Sequence, residues 1–257
     1  MKLFFESFAV AFSMYSRIPM PQFRWNERNM RWLLAFFPFV GAVVAAILFG
    51  VFLFFRTFAL NSGFFAAAAV LVPILMTGGI HIDGYCDTCD AFASHGDRET
   101  KLRIMKDPHV GAFGVVYTAA LLLLQFGAWQ QLFLKPAFIF PVLSASVLAR
   151  SLAGVAILCF PKAKEDGLAA TFAGPAFKKP VTVILLVIAA LAALLPAIGQ
   201  GAAALLAPAI ALLSFGMFYA MAKKCFGGIT GDLAGFFITV YETLALFTCA
   251  ILGAVLR

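Results

Sequence analysis

Charge is what this chain has least of. Asp, Glu, Lys and Arg make up 12% of its 257 residues, where a soluble domain carries roughly a quarter. With apolar residues at 63% and repeated apolar runs near twenty residues, that deficit excludes an ordinary soluble domain. It implies a polytopic membrane protein. Cysteines are too few and too scattered for a disulfide framework: Cys86, Cys89, Cys159, Cys225 and Cys249 are odd in number. A cleavable leader is not expected either. The first apolar stretch has only Lys2 as a leading charge, is interrupted by Glu6 and lacks a small-residue cleavage site. The net charge of +7 is no nucleic-acid footprint in such a chain, and no nucleic-acid partner is expected. No internal repeat or separate soluble domain is legible, so 1–257 reads as one membrane-embedded domain.

What is there is an all-α pattern. Residues 2–17 read as an interfacial helix. Lys2, Glu6, Ser13, Ser16 and Arg17 share one arc at a 3.6-residue period, and phenylalanines fill most of the rest. Seven apolar spans follow, at 33–55, 62–80, 111–134, 137–160, 181–198, 202–222 and 235–256, the second being short and ending in glycines. Lysines and arginines alternate across the gaps, fifteen on one side against three on the other, with Arg150 inside a span. The positive-inside rule then places the N-terminus in the cytoplasm and the C-terminus outside. The same rule brings the gaps at 81–110, 161–180 and 223–234 to the cytoplasmic face.

The chemistry concentrates in one stretch, Thr77 to Gly114, which holds six of the twelve acidic residues and all three histidines. Asp83, Asp87 and Asp90 stand at i, i+4 and i+7, which stacks three carboxylates on one helical face. Like charges so placed repel unless a cation sits among them, and a hard divalent ion such as Mg²⁺ suits oxygen ligands. The bland alternative is a solvated acidic face. Gly78, Gly79 and Gly84 crowd the cluster and Lys106 follows it, the combination that holds a diphosphate and its metal. Further candidates share the same face. They are Glu165, Asp166, Gly167 and Thr171 in PKAKEDGLAATF (161–172), Asp232 at the end of GGITGD (227–232), and Arg17 in SRIPMP (16–21). A glycine-rich turn opening a helix can receive an anion, though GGITGD also reads as a plain turn. Arg17 can clamp a phosphate or merely anchor the interfacial helix.

Two charges lie inside spans. Arg150 and Glu242 each fall about ten residues from the cytoplasmic boundary, roughly 15 Å deep. An intramembrane charge calls for a partner or a wet cleft. Two readings stay open here: the two pair with each other, or Glu242 faces substrate while Arg150 meets a phosphate or carbonyl oxygens. A zinc reading of His81, Cys86, Cys89 and His95 is weaker. A helix turns both cysteines off the aspartate face, and CxxC zinc sites usually sit on a knuckle.

The run GGIHIDGYCDTCDAF…DRETKLRIMKDPHVGAFG closely resembles the signature of the adenosylcobinamide-GDP ribazoletransferases, also called cobalamin-5′-phosphate synthases. SRIPMP, EDGLAATF and GGITGD with Glu242 resemble that family's other landmarks in the same order, so the likeness covers nearly the whole chain. Cys86 and Cys89 depart from it, since the family usually has small non-cysteine residues there. The resemblance implies a multi-pass, Mg²⁺-dependent enzyme of the bacterial cytoplasmic membrane. It would join adenosylcobinamide-GDP to α-ribazole or its 5′-phosphate and release GMP, late in cobalamin assembly. On that reading Asp83, Asp87 and Asp90 hold metal, and Asp232 is a further metal or nucleophile-orienting carboxylate. Arg17, Gly78, Gly79, Lys106, Asp166, Thr171 and Glu242 meet substrate. Partners would be the two substrates and the bilayer, with a homo-oligomer or contacts to other late pathway enzymes left open. Other readings are weaker. The DG-x2-AR spacing of CDP-alcohol phosphotransferases is absent, aromatic prenyltransferases need a second strong Asp-rich loop, and a cation transporter would gather its polar residues at the midplane.

Overall fold

The computed structural model describes residues 2–163 and 168–256. Their helices are α1 (Lys2–Tyr15), α2 (Glu27–Met30), α3 (Phe37–Thr57), α4 (Ser62–Thr77), α5 (Ile80–Ala93) and α6 (Arg98–Ile104). They continue as α7 (Ala112–Leu134), α8 (Ile139–Cys159), α9 (Leu168–Ala173), α10 (Lys178–Gln200), α11 (Leu206–Met221) and α12 (Gly231–Val255). No strand forms among the described residues, only one isolated parallel bridge between Lys162 and Ile229.

Six stretches are long and apolar enough to cross a membrane: Leu33–Thr57, α7, Pro136–Cys159, α10, Ala202–Phe226 and α12. The protein is a multi-pass helical membrane bundle. The seventh expected span takes another form. Helices α4 and α5 pass the same test only as a pair, bent by 95°. Gly78 and Gly79 cause the bend: both sit in the left-handed region, at φ 66° and 81°. A β-carbon would strain each of them, so two glycines stop one helix and restart the next at an angle.

Helix α8 is the axis of the bundle. Its apolar window is 83% buried, against 22% for those of α7, α10 and the span containing α11. Ala145, Ala149, Ala153, Gly154 and Ala156 keep its surface low, so neighbours approach closely. A β-carbon on Gly41 of α3 would collide with the Ser146 backbone, and one on Gly154 would press into Leu185 of α10. The outer helices turn Leu123, Ile198 and Leu212 outward, as lipid-facing sides require.

Helix α1 stops at Tyr15, slightly short of the expected end, and it is docked rather than free. Phe12 and Tyr15 are buried while Phe4 and Phe5 stay exposed. Tyr15 packs on Phe37, ring centroids 4.2 Å apart. Ser16, expected on the polar arc, is buried instead. Its hydroxyl donates to the Phe12 carbonyl at 2.6 Å, so burial leaves no orphan.

Candidate active site

Helix α5 is amphipathic in an unusual sense: one face is small and buried, the other acidic. His81, Gly84, Thr88 and Ala91 form the buried face, and Asp83, Asp87 and Asp90 lie on the adjoining side, roughly 110° round the helix. The buried face lies along the start of α12. A β-carbon on Gly84 would sit 2.8 Å from the Asp232 Cα and 2.5 Å from its carbonyl oxygen, so only glycine permits this approach. Lower down, the Thr239 hydroxyl donates to the His81 carbonyl at 3.1 Å. The packing brings a fourth carboxylate to the cluster. Asp87 is within Coulombic reach of Asp83, Asp232 and Asp90. Asp83 is exposed and Asp87 half-buried, and neither forms a hydrogen bond or ion pair with a described residue.

Asp90 has a different occupation. Its Oδ2 accepts from the Gly111 N–H and its Oδ1 from the Gly114 N–H, both at 2.8 Å. These are donors of the first turn of α7 and the residue before it, so Asp90 caps that helix from 21 residues upstream. The two glycines lie flush against the carboxylate, where a β-carbon would collide with it. Asp97 is likewise structural: it caps α6, and the Thr100 N–H holds its carboxyl below the usual range.

The loops expected on this face do come together. Ile229 N–H donates to the Pro161 carbonyl at 2.7 Å, and Ala163 N–H to the Ile229 carbonyl at 3.1 Å. Thr230 then caps α12 through the Leu233 N–H at 3.1 Å, which sets Asp232 in its first turn. Arg98, which no sequence pattern singled out, ties the two loops to α6. Its guanidinium covers Gly227 and donates to the Ala163 carbonyl at 3.1 Å. The Arg17 side chain lies over Gly78, and its backbone N–H donates to the Met76 carbonyl at 2.7 Å, placing an exposed cation at the α4–α5 corner. Gly79 forms the other half of that corner. Lys106 is exposed just past α6, and Thr171 is exposed on α9. Asp166, with Glu165 and Gly167, lies outside the described residues.

Of the two readings left open for the intramembrane charges, the structure shows the pair. Arg150 Nη1 donates to Glu242 Oε1 at 2.6 Å and to the Ser146 carbonyl at 2.9 Å. The pair lines a cavity of about 60 Å³ with Gln125, Thr239 and His81. Arg150 is fully buried, and its Nε and Nη2 have no partner among the described residues.

Among the described residues, no three His, Cys, Asp or Glu side chains are already gathered around a metal position. That removes a preformed Cys–His zinc cage. It is compatible with Mg²⁺, which typically takes one or two carboxylates and completes its shell with water and substrate phosphates. Asp83 and Asp87 supply such donors, with Asp232 adjacent, and all three offer oxygen.

Carboxylates gathered at one end of a multi-pass bundle, beside glycine corners and an arginine, define a membrane-embedded transferase architecture rather than a midplane ion path. The chain belongs to the cobalamin-5-phosphate synthase family, whose profile matches residues 7–250. Its relatives include the adenosylcobinamide-GDP ribazoletransferase of Lachnoclostridium phytofermentans, 41% identical over 93% of this chain and 91% of the relative. Proteins of the same name from Geobacillus kaustophilus and Clostridium perfringens are 34% and 31% identical. The first covers 95% of both chains; the second covers 98% of this chain and 100% of the relative. No solved structure matches.

Proposed function

We propose that this protein joins adenosylcobinamide-GDP to α-ribazole, or its 5′-phosphate, at the carboxylate end of the bundle. A ribose hydroxyl attacks the phosphorus bound to the cobinamide. The new O–P bond forms as the P–O bond to GMP breaks, the electron pair leaves on the GMP phosphate, and the hydroxyl proton passes to solvent or a nearby acceptor. The observation that carries this reading is the packing of Gly84 on Asp232, which joins the acidic face of α5 to the N-terminus of α12. It brings Asp232 to a carboxylate cluster in which Asp83 and Asp87 form no ion pair with a described lysine or arginine.

Asp83 and Asp87 would hold Mg²⁺. When bound, the ion offsets the charge of the diphosphate and of the leaving phosphate. The protein's own part is positional. Arg17 over the Gly78–Gly79 corner offers a phosphate contact, and Lys106 and Thr171 are exposed toward solvent for substrate. Asp90 keeps the start of α7 fixed beside them. The charge bias of the loops supports a cytoplasmic location for this face, in the bacterial cytoplasmic membrane, where both substrates would be met.

Purified protein in nanodiscs, given both substrates and Mg²⁺, should release GMP and form the cobalamin product, with neither appearing when α-ribazole is omitted. GMP release independent of α-ribazole would reduce the protein to a hydrolase and defeat the reading. Labelling of cysteines placed in 81–110 from the outside of intact cells would defeat the orientation.

A further inference from the structure

A second cavity of about 60 Å³ adjoins the site. It is lined by Tyr15 of α1, Phe37 of α3, His81 of α5, Phe172 of α9 and Asp232 with Ile238 of α12. Most of its wall is apolar, yet two residues that line it carry a stranded polar atom. Among the described residues the Tyr15 hydroxyl and His81 Nε2 are buried without a hydrogen-bond partner, on residues 7% and 9% exposed. Both rings rest on Phe37, whose centroid is 4.2 Å from that of Tyr15 and 5.9 Å from that of His81. Orphaned buried groups of this kind cost stability, and their persistence calls for a partner that arrives from outside.

The chemistry narrows that partner. Among the described residues no lysine or arginine lines the slot, and Asp232 does, so nothing described there favours an anion. A phenol and an imidazole each donate or accept, which matches a neutral hydroxyl. Phe37 and Phe172 offer flat apolar walls to the C–H faces of a sugar. The volume admits a hydroxyl-bearing edge, while a bicyclic base stays outside. We propose that this slot is the subsite for the ribose edge of the acceptor nucleoside, with Tyr15 Oη and His81 Nε2 hydrogen-bonding its hydroxyls beside Asp232. The inference rests on the transferase reading and deepens it: the attacking hydroxyl reaches the carboxylate cluster from the α1 side. His81 thereby has work to do as part of a substrate slot, with no zinc required.

Tyr15→Phe is the decisive variant, because it removes only the stranded hydroxyl. With the full-length protein in nanodiscs, KM for α-ribazole should rise about three- to tenfold, the loss of one neutral hydrogen bond. KM for adenosylcobinamide-GDP should hold, and the thermal midpoint should hold or rise. His81→Leu should lower kcat about 100-fold, and His81→Gln, which returns an acceptor near the Nε2 position, should recover part of it. Wild-type KM for α-ribazole in Tyr15→Phe would mean that the hydroxyl meets no substrate and would overturn the proposal. Equilibrium dialysis of α-ribazole separates the two levels. Wild-type protein that binds α-ribazole without transferring it, with binding weakened in Tyr15→Phe, sinks the transfer and sustains the slot. Binding that is equal in wild type and Tyr15→Phe sinks the slot alone.

Discussion

Breaking the Arg150–Glu242 pair from each side should give unequal losses, and the inequality follows from burial. Arg150 is fully buried and Glu242 is 21% exposed. Glu242→Gln leaves a guanidinium that cannot shed its proton, in a site where Nε and Nη2 already lack partners. A stranded charge of that kind costs about 3–5 kcal/mol. Arg150→Met leaves instead a carboxylate on the cavity wall, which can take a proton or water, so its cost should fall below about 3 kcal/mol. With both replaced, no charge remains stranded, and the double variant should be more stable than Glu242→Gln alone. The coupling energy should reach about 2 kcal/mol or more, within the range for residues in direct contact. Reversible unfolding by SDS in mixed micelles, followed for wild type, both single variants and the double, measures it. Losses that add to within about 0.5 kcal/mol would mean the side chains do not depend on one another. A larger loss for Arg150→Met than for Glu242→Gln would refute the burial argument.

Four other outcomes are expected. Asp83→Asn and Asp87→Asn should each lower turnover about 100-fold with unchanged thermal stability; near wild-type rates at limiting Mg²⁺ would leave the cluster a solvated face. Asp90→Asn should differ from them by also losing about 1–2 kcal/mol of stability, because its amide turns an N–H toward a helix donor; a fully stable variant would remove the capping role. Gly84→Ala should insert but lose activity and stability together, since its β-carbon meets Asp232 backbone that no rotamer change can clear; an active, stable alanine variant would show that α5 and α12 sit farther apart. Cys86→Ala with Cys89→Ala should keep transferase activity, and inactivity accompanied by lost zinc would restore the metal-knuckle reading.

The spans were legible because burial in lipid forces long apolar runs and charge sorts the loops, both local properties of the chain. Six of the expected spans correspond to helices within a few residues of their expected ends. The α4–α5 bend was visible only as two glycines, since no pattern of hydropathy encodes a 95° turn. The acidic face of α5 was legible for a similar reason: i, i+4, i+7 is a property of one helix. The division of labour within it was not. Asp90 becomes a cap only when the chain returns with Gly111 and Gly114, and that contact spans more than twenty residues. The usable signal was in the partner rather than in the acid. Two glycines three apart at the start of an apolar span permit a side chain to reach bare N–H groups, and a nearby surplus aspartate is the group to do it.

Arg98 and Tyr15 were missed in a more instructive way, and His81 was noticed only as a zinc candidate. Each belongs to a residue type with an ordinary structural use: arginine on a loop helix, tyrosine in an aromatic run, histidine beside cysteines. What distinguishes them is the state of their polar atoms after folding. Arg98 donates across 65 residues to the Ala163 carbonyl and so fixes the loop that follows α8. Tyr15 Oη and His81 Nε2 are left without a hydrogen-bond partner among the described residues. A carboxylate cluster announces itself by charge, because charge is expensive in this chain wherever it occurs. A neutral hydrogen-bonding slot has no such signature, and only the accounting of satisfied and unsatisfied groups in the packed bundle exposes it. That asymmetry explains why the carboxylate side of the site can be read from residue spacing. The side that would receive the neutral sugar emerges only from three-dimensional packing.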